Sequence, residues 1–124
     1  MESVIVTGAF GGMGRAACKL LRDMGYTVFA LDKKVSDAED GIIPIETDIS
    51  SEESVQKAFL TVMEATDNVR GIIHFAGIYM LDSLVEMSDE AFGKIVDVNL
   101  RGAFLINKTF LPMLGAGSRI LIVT

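Results

Sequence analysis

The chain has 124 residues, half of them hydrophobic, with a net charge of −6. That length and apolar content exclude a disordered tail and suit a single domain able to bury a core. The negative balance, with no basic run longer than Lys33-Lys34, argues against a nucleic-acid or anionic-membrane surface.

Ser3 to Thr7 is a β-branched run that stops at Gly8 and reads as a buried strand. From Gly12 to Met24 the apolar residues Met13, Ala16, Ala17, Leu20 and Leu21 recur at helical spacing, and Gly25 closes the helix. Tyr26 to Leu31 is a second strand, ending at Asp32. Ile42 to Ile45 is a third, and Pro44, which cannot donate to a ladder, assigns it to a sheet edge. Ser51 to Ala65 reads as a helix with Glu52 and Glu53 in its first turn, where carboxylates favour the dipole. Gly71 to Phe75 is a fourth strand. Ser88 caps a helical pattern that runs to about Leu114, with Asn99 and Gly102 inside it. Arg119 to Val123 is a fifth strand.

Alternating strands and helices imply a doubly wound parallel α/β sheet of the Rossmann type, residues 1–124 forming one domain with strand order 3-2-1-4-5. That order leaves the fifth strand at an edge, although Ile120 to Val123 has the apolar character of a central strand. The mismatch leads to the expectation that further strands belong after Thr124 and that the domain is truncated. Cys18, the only cysteine, sits among Ala16, Ala17 and Leu20 and reads as a packed residue; no internal disulfide is possible, as in a reducing cytosol. His74 is the only histidine, and no metal site is evident. No apolar run reaches the roughly 18 residues of a membrane span. No cationic stretch precedes the first strand, so no signal peptide is expected and a cytoplasmic location is.

The first strand leads into Thr7-Gly8-Ala9-Phe10-Gly11-Gly12-Met13-Gly14. Glycines permit a tight turn and close approach of the backbone to a pyrophosphate, and the helix from Gly12 aims free N–H groups at the same place. The stretch follows a strand, opens a helix and is followed at the right distance by an acid, Asp32, which together make a nucleotide-binding signature. Asp32 is placed to accept hydrogen bonds from the adenosine ribose and to repel a 2′-phosphate, which favours NAD over NADP by ~1–3 kcal/mol. Lys33 and Lys34 read as a solvated loop, with a softening of that preference as the alternative.

These residues resemble the short-chain dehydrogenase/reductase family. Thr7 to Gly14 looks like its TGxxxGxG cofactor motif, with Gly8, Gly12 and Gly14 as the family glycines. The resemblance places Thr7, Phe10, Gly11 and Met13 at the cofactor as well. It also sets Asp48 and Ile49 beside the adenine, and makes Ala76 and Gly77 the conserved end of an NNAG-like motif. Asn99, within Val98-Asn99-Leu100, matches the family asparagine whose backbone carbonyl holds a water in a proton relay.

Two departures stand out. His74 and Phe75 replace the two asparagines of NNAG, so His74 is expected to provide structural hydrogen bonding inside the sheet rather than acid/base chemistry. The family also has a serine after the fifth strand and a Tyr-x-x-x-Lys. Here Tyr26 is followed four residues later by Ala30, and Tyr79 by Ser83. Thr124 lies at or just before the serine region and is not assigned that role.

The resemblance implies an NAD(P)-dependent oxidoreductase that transfers hydride between the nicotinamide and an alcohol or carbonyl substrate, as a homo-oligomer. This chain would supply the cofactor-binding half, be inactive alone, and leave the substrate unspecified. The alternative is a non-catalytic NAD sensor or oligomerisation module, with Phe92, Phe104 and Phe110 in the helical stretch from Ser88 providing apolar surface; a truncated reading frame is a third.

Overall fold

Every residue of β1 (Ser3–Thr7) is buried, as expected of a β-branched strand covered on both faces. The computed structural model describes residues 2–123; Thr124 lies outside them. β1 pairs in parallel with β2 (Thr27–Asp32) on one side and β4 (Val69–His74) on the other. β3 (Ile42–Glu46) extends the sheet beyond β2, and β5 (Leu114–Ile122) extends it beyond β4. The order is β3-β2-β1-β4-β5, all parallel, a Rossmann-type α/β sheet. Pro44 is indeed on an edge strand, opposite Ala30 of β2.

Alternation along the strands divides the core between two faces. Ile5, Phe29, Leu31 and Ile72 meet α2 (Glu52–Ala65) through Val55, Ala58 and Val62, and α4 (Gly102–Phe110) through Leu105, Ile106 and Phe110. Phe59 and Phe110 pack edge to face there, 5.5 Å between ring centres. On the opposite face Val4, Val6, Val28 and Ala30 gather with Ala9, Ile42 and Cys18 of α1 (Gly12–Asp23). Burial pushes the Cys18 thiol up to about 11, so it stays protonated and packs as a small apolar side chain.

The long helical pattern is not one α-helix. α3 (Asp89–Val96), capped by the Ser88 hydroxyl accepting from Ala91 N–H, gives way to a π-helical turn at Asp97–Arg101 and then to α4. A short 3₁₀ turn at Leu111–Met113 follows, with Pro112 in its first positions. β5 begins earlier than the apolar run suggests, because Leu114 already pairs with Val69. The next partners are Gly71 and Arg119, so Gly115 to Ser118 bulge out, with Gly117 at φ +82°. β5 lies at the sheet edge with Ile120, Leu121 and Ile122 about half exposed. Among the described residues no helix is long and apolar enough to cross a membrane.

Candidate functional site: a groove at the carboxyl ends of the strands

Parallel strands deliver their carboxyl ends to one rim of the sheet, and crevices outside that rim are the usual ligand sites of such folds. Here the rim carries Thr7, Asp32, Glu46 and His74, followed by the loops that leave β1, β2, β3 and β4.

The β1–α1 turn is built on steric necessity. Gly8 has φ +64°, and a Cβ there would stand 2.5 Å from the Ala76 nitrogen. A Cβ on Gly14 would overlap the Gly8 carbonyl oxygen and stand 2.8 Å from the Ala9 Cα. Gly11 N–H closes the turn on the Gly8 carbonyl at 3.3 Å, and Gly11 then serves as N-cap of α1 without any side-chain cap. The first N–H groups of α1 are left free to meet an anion. Thr7, fully buried, has its hydroxyl accepting from Ala76 N–H at 3.4 Å, which ties the β1 end to the β4 end.

Asp32 closes the adjoining wall. Its Oδ2 accepts from Phe10 N–H at 3.0 Å and its Oδ1 from Lys33 N–H at 2.7 Å, so both oxygens are fixed by backbone donors. Asp48 follows β3 and accepts at Oδ1 from the Ser50 hydroxyl (2.6 Å) and Ser50 N–H (3.0 Å). The Ser50 hydroxyl holds the Asp48 carboxyl below the usual carboxylate range, with help from the Lys33 charge. Asp48 is therefore ionised at neutral pH.

These groups line a groove of about 400 Å³ that also includes Leu31, Thr47, Ile49, Phe75, Ala76, Gly77, Ile78, Lys94 and Val98. A second groove of about 460 Å³ continues past Ile49, Ala76 and Gly77 to Met13, His74, Asn99 and Ile122. Five residues, Ile49 and Phe75 to Ile78, line both. A tight turn with no room for a side chain at Gly8 or Gly14, an acid at the end of β2 and an elongated two-part groove fit a dinucleotide rather than a mononucleotide.

Asn99 lies in the π-helical turn, and its side chain grips Ile78, as its N–H and carbonyl are each bonded at 2.8 Å. His74 is buried, and its Nε2 is 2.7 Å from Asn107 Oδ1 of α4. Burial lowers its pKa, with the Asn107 contact opposing, so the ring is neutral at pH 7; Nε2–H then donates to Asn107 and Nδ1 has no hydrogen-bond partner. Among the described residues no group of three or more His, Cys, Asp or Glu side chains is arranged to hold a metal.

Gly8, Gly11, Asp32, Asp48, Ile49, Ala76 and Gly77 thus come together around the first groove, and Met13 and Asn99 around the second. Gly12 and Gly14 lie in the first turn of α1. Phe10 contributes its backbone, while its ring lies under the Arg15 guanidinium at 5.3 Å. Sequence reasoning missed Lys94, Thr47 and Val98. Lys94 in α3 and Val98 in the π turn are four residues apart, and Val98 directly precedes Asn99, which is the signal that would have found them.

The chain matches the short chain dehydrogenase family over residues 2–124. It is 33% identical over 107 residues to the 3-oxoacyl-[acyl-carrier-protein] reductase MabA of Mycobacterium avium, covering 86% of this chain and 42% of that protein. Identity to the NAD-dependent glycerol dehydrogenase of Listeria innocua is 28%, over 82% of this chain and 43% of that protein. Among solved structures, the ligand-free aldohexose dehydrogenase of Thermoplasma acidophilum superposes with a TM-score of 0.92 at 26% identity, covering 99% of this chain and 49% of that one. The 3-ketoacyl-(acyl-carrier-protein) reductase of Brucella melitensis, complexed with NADH, gives 0.84 at 25% identity, covering 90% and 50%. The chain belongs to the short-chain dehydrogenase family, whose members are oxidoreductases that use a nicotinamide cofactor. It spans less than half the length of these curated relatives.

Proposed function

We propose that residues 1–124 form the cofactor-binding part of an oxidoreductase that interconverts an alcohol and a carbonyl compound, with NAD preferred to NADP. The observation that carries this reading is the Asp32 carboxylate, held by two backbone N–H groups beside the glycine turn. A fixed carboxylate there accepts from a ribose diol and repels a phosphate on the same ribose. The NADH complex of the Brucella reductase and the NAD dependence of the Listeria dehydrogenase support a nicotinamide cofactor.

The turn from Gly8 to Gly14, with the Thr7 end of β1 and the Phe10 and Met13 backbone, would hold the pyrophosphate at the N-terminus of α1. Asp48 and Ile49 would flank the adenine. Ala76 and Gly77 form the strip joining the two grooves, and Asn99 shapes it from above by fixing Ile78. When bound, the nicotinamide supplies hydride transfer; the protein's part is to orient it. Proton transfer needs a positioned acid or base, and these residues offer no Tyr-x-x-x-Lys. His74 is buried, neutral and engaged with Asn107. These 124 residues therefore bind cofactor without turnover. A single buried thiol suits a reducing, cytoplasmic setting.

The test combines NADH titration, followed by fluorescence, with a turnover assay over a panel of alcohols and ketones on the 124-residue chain. Binding without turnover is expected; cofactor-dependent turnover above background would contradict the reading. A second reading, an NAD-binding oligomerisation module, draws on Phe92 and Phe104 with Leu100, exposed by 57%, 57% and 69% along α3, α4 and the π turn, while Phe110, expected on that surface, is instead buried in the core against Phe59. Self-association that responds to NADH, with no turnover in any longer form of the protein, would favour it.

A further inference from the structure

The Asp32 carboxylate is fixed through Phe10, and Phe10 is itself fixed by Arg15. Arg15 Nε donates to the Phe10 carbonyl at 3.0 Å, its guanidinium lies over the Phe10 ring at 5.3 Å, and its other arm donates to Ser36 Oγ at 2.8 Å. Phe10 N–H donates to Asp32 on the near side of the same residue. The peptide units before and after Phe10 are thus both held, which sets its φ and ψ and aims the N–H that Asp32 needs. Ser36 stands four residues after Asp32 in the loop between β2 and β3. Arg15 therefore staples the glycine turn to the loop carrying the ribose-reading acid.

We propose that Arg15 is a positioning residue that, through Phe10, holds the Asp32 carboxylate in its ribose-reading pose and so sets the choice between NAD and NADP. This rests on the dinucleotide reading given above. A planar guanidinium can serve two acceptors and stack on a ring at once, which an ammonium cannot. The competing role is simple attraction of the pyrophosphate by an exposed positive charge, which salt screens and which lysine would supply equally.

The test titrates the full chain and its Arg15→Met, Arg15→Lys and Ser36→Ala variants with NAD and NADP, following binding alone. Arg15→Met should weaken NAD about 3- to 10-fold while leaving NADP unchanged or tighter, because a freed Asp32 can turn away from the 2′-phosphate. Arg15→Lys should not restore the parent ratio. Ser36→Ala, which removes one arm of the staple with little risk to the fold, should shift the ratio the same way by less. Equal weakening of both dinucleotides, or full recovery in Arg15→Lys, would overturn the proposal. Failure of the parent itself to bind either dinucleotide would instead overturn the cofactor reading, and this inference with it.

Discussion

Asn99 and Ile78 are joined twice: Asn99 Oδ1 accepts from Ile78 N–H and Asn99 Nδ2 donates to the Ile78 carbonyl, each at 2.8 Å. A side-chain amide thereby reproduces the pairing a neighbouring strand would give, just where β4 has ended and the chain turns across both grooves. The π-helical turn at Asp97–Arg101 presents Asn99 in this position, a common use of such turns. Asn99→Ala should cost about 1–2 kcal/mol, two exposed hydrogen bonds, and Asn99→Asp about as much, because it keeps the acceptor for Ile78 N–H but sets a carboxylate oxygen against the Ile78 carbonyl. Amide hydrogen exchange at Ile78 is the direct readout. It should accelerate in Asn99→Ala; unchanged protection there would show that the strip is held by something else.

The glycine turn predicts a loss that no rotamer can relieve. At Gly14 the atoms in the way of a Cβ are backbone atoms of Gly8 and Ala9. Gly14→Ala should therefore already destabilise by roughly 3 kcal/mol, the upper end of overpacking costs, and Gly14→Val by more. Gly12, with no atom within 4 Å of its Cβ position, should accept alanine with little loss of stability. Urea unfolding of the pair checks this, and equal midpoints would contradict the packing described.

His74 gives a pH dependence with a definite sign. Its folded pKa lies below the ordinary 6.5 because burial disfavours the charged ring. The unfolded chain then binds the proton first as pH falls. The stability that His74 contributes is complete above pH 6.5 and declines as pH drops towards the folded pKa, by at most about 1.4 kcal/mol per pH unit. His74→Asn should flatten the stability profile between pH 5 and 7 relative to the parent, measured by urea unfolding. Parallel profiles would mean that the ring is protonated, or exposed, in the folded protein.

Much of the fold was legible because its signals were local and redundant. Val4 to Thr7 of β1 are all β-branched, Gly8 and Gly14 fall where a turn excludes Cβ atoms, and Pro44 marks an edge. What escaped was non-local. Periodicity could not show that the helix around Asn99 opens into a π turn, because that break is stabilised by Ile78, 21 residues earlier. The early start of β5 at Leu114 depends on its pairing with Val69 across the Gly115–Ser118 bulge, and that of β4 on Val69 pairing with Ser3 as well; Arg70 and the four small residues Gly115 to Ser118 hide both in the sequence. In the site, motif residues marked the glycine turn and the acids. The tie from Arg15 to Ser36 depends on the N-terminal end of α1 meeting the β2–β3 loop, which spacing does not encode.

We propose that Asp32 reads an unphosphorylated ribose in this groove. It is tested most directly by paired titrations of NAD and NADP against the parent and Asp32→Ala at fixed ionic strength. The parent should bind NAD about 10-fold or more tightly than NADP, the equivalent of one charge-assisted hydrogen bond together with repulsion of the phosphate. Asp32→Ala should lose most of that difference, chiefly by weaker NAD binding. Tighter binding of NADP by the parent, with Lys33 and Lys34 dominating the site, or an unchanged ratio in Asp32→Ala, would show that Asp32 does not read the ribose.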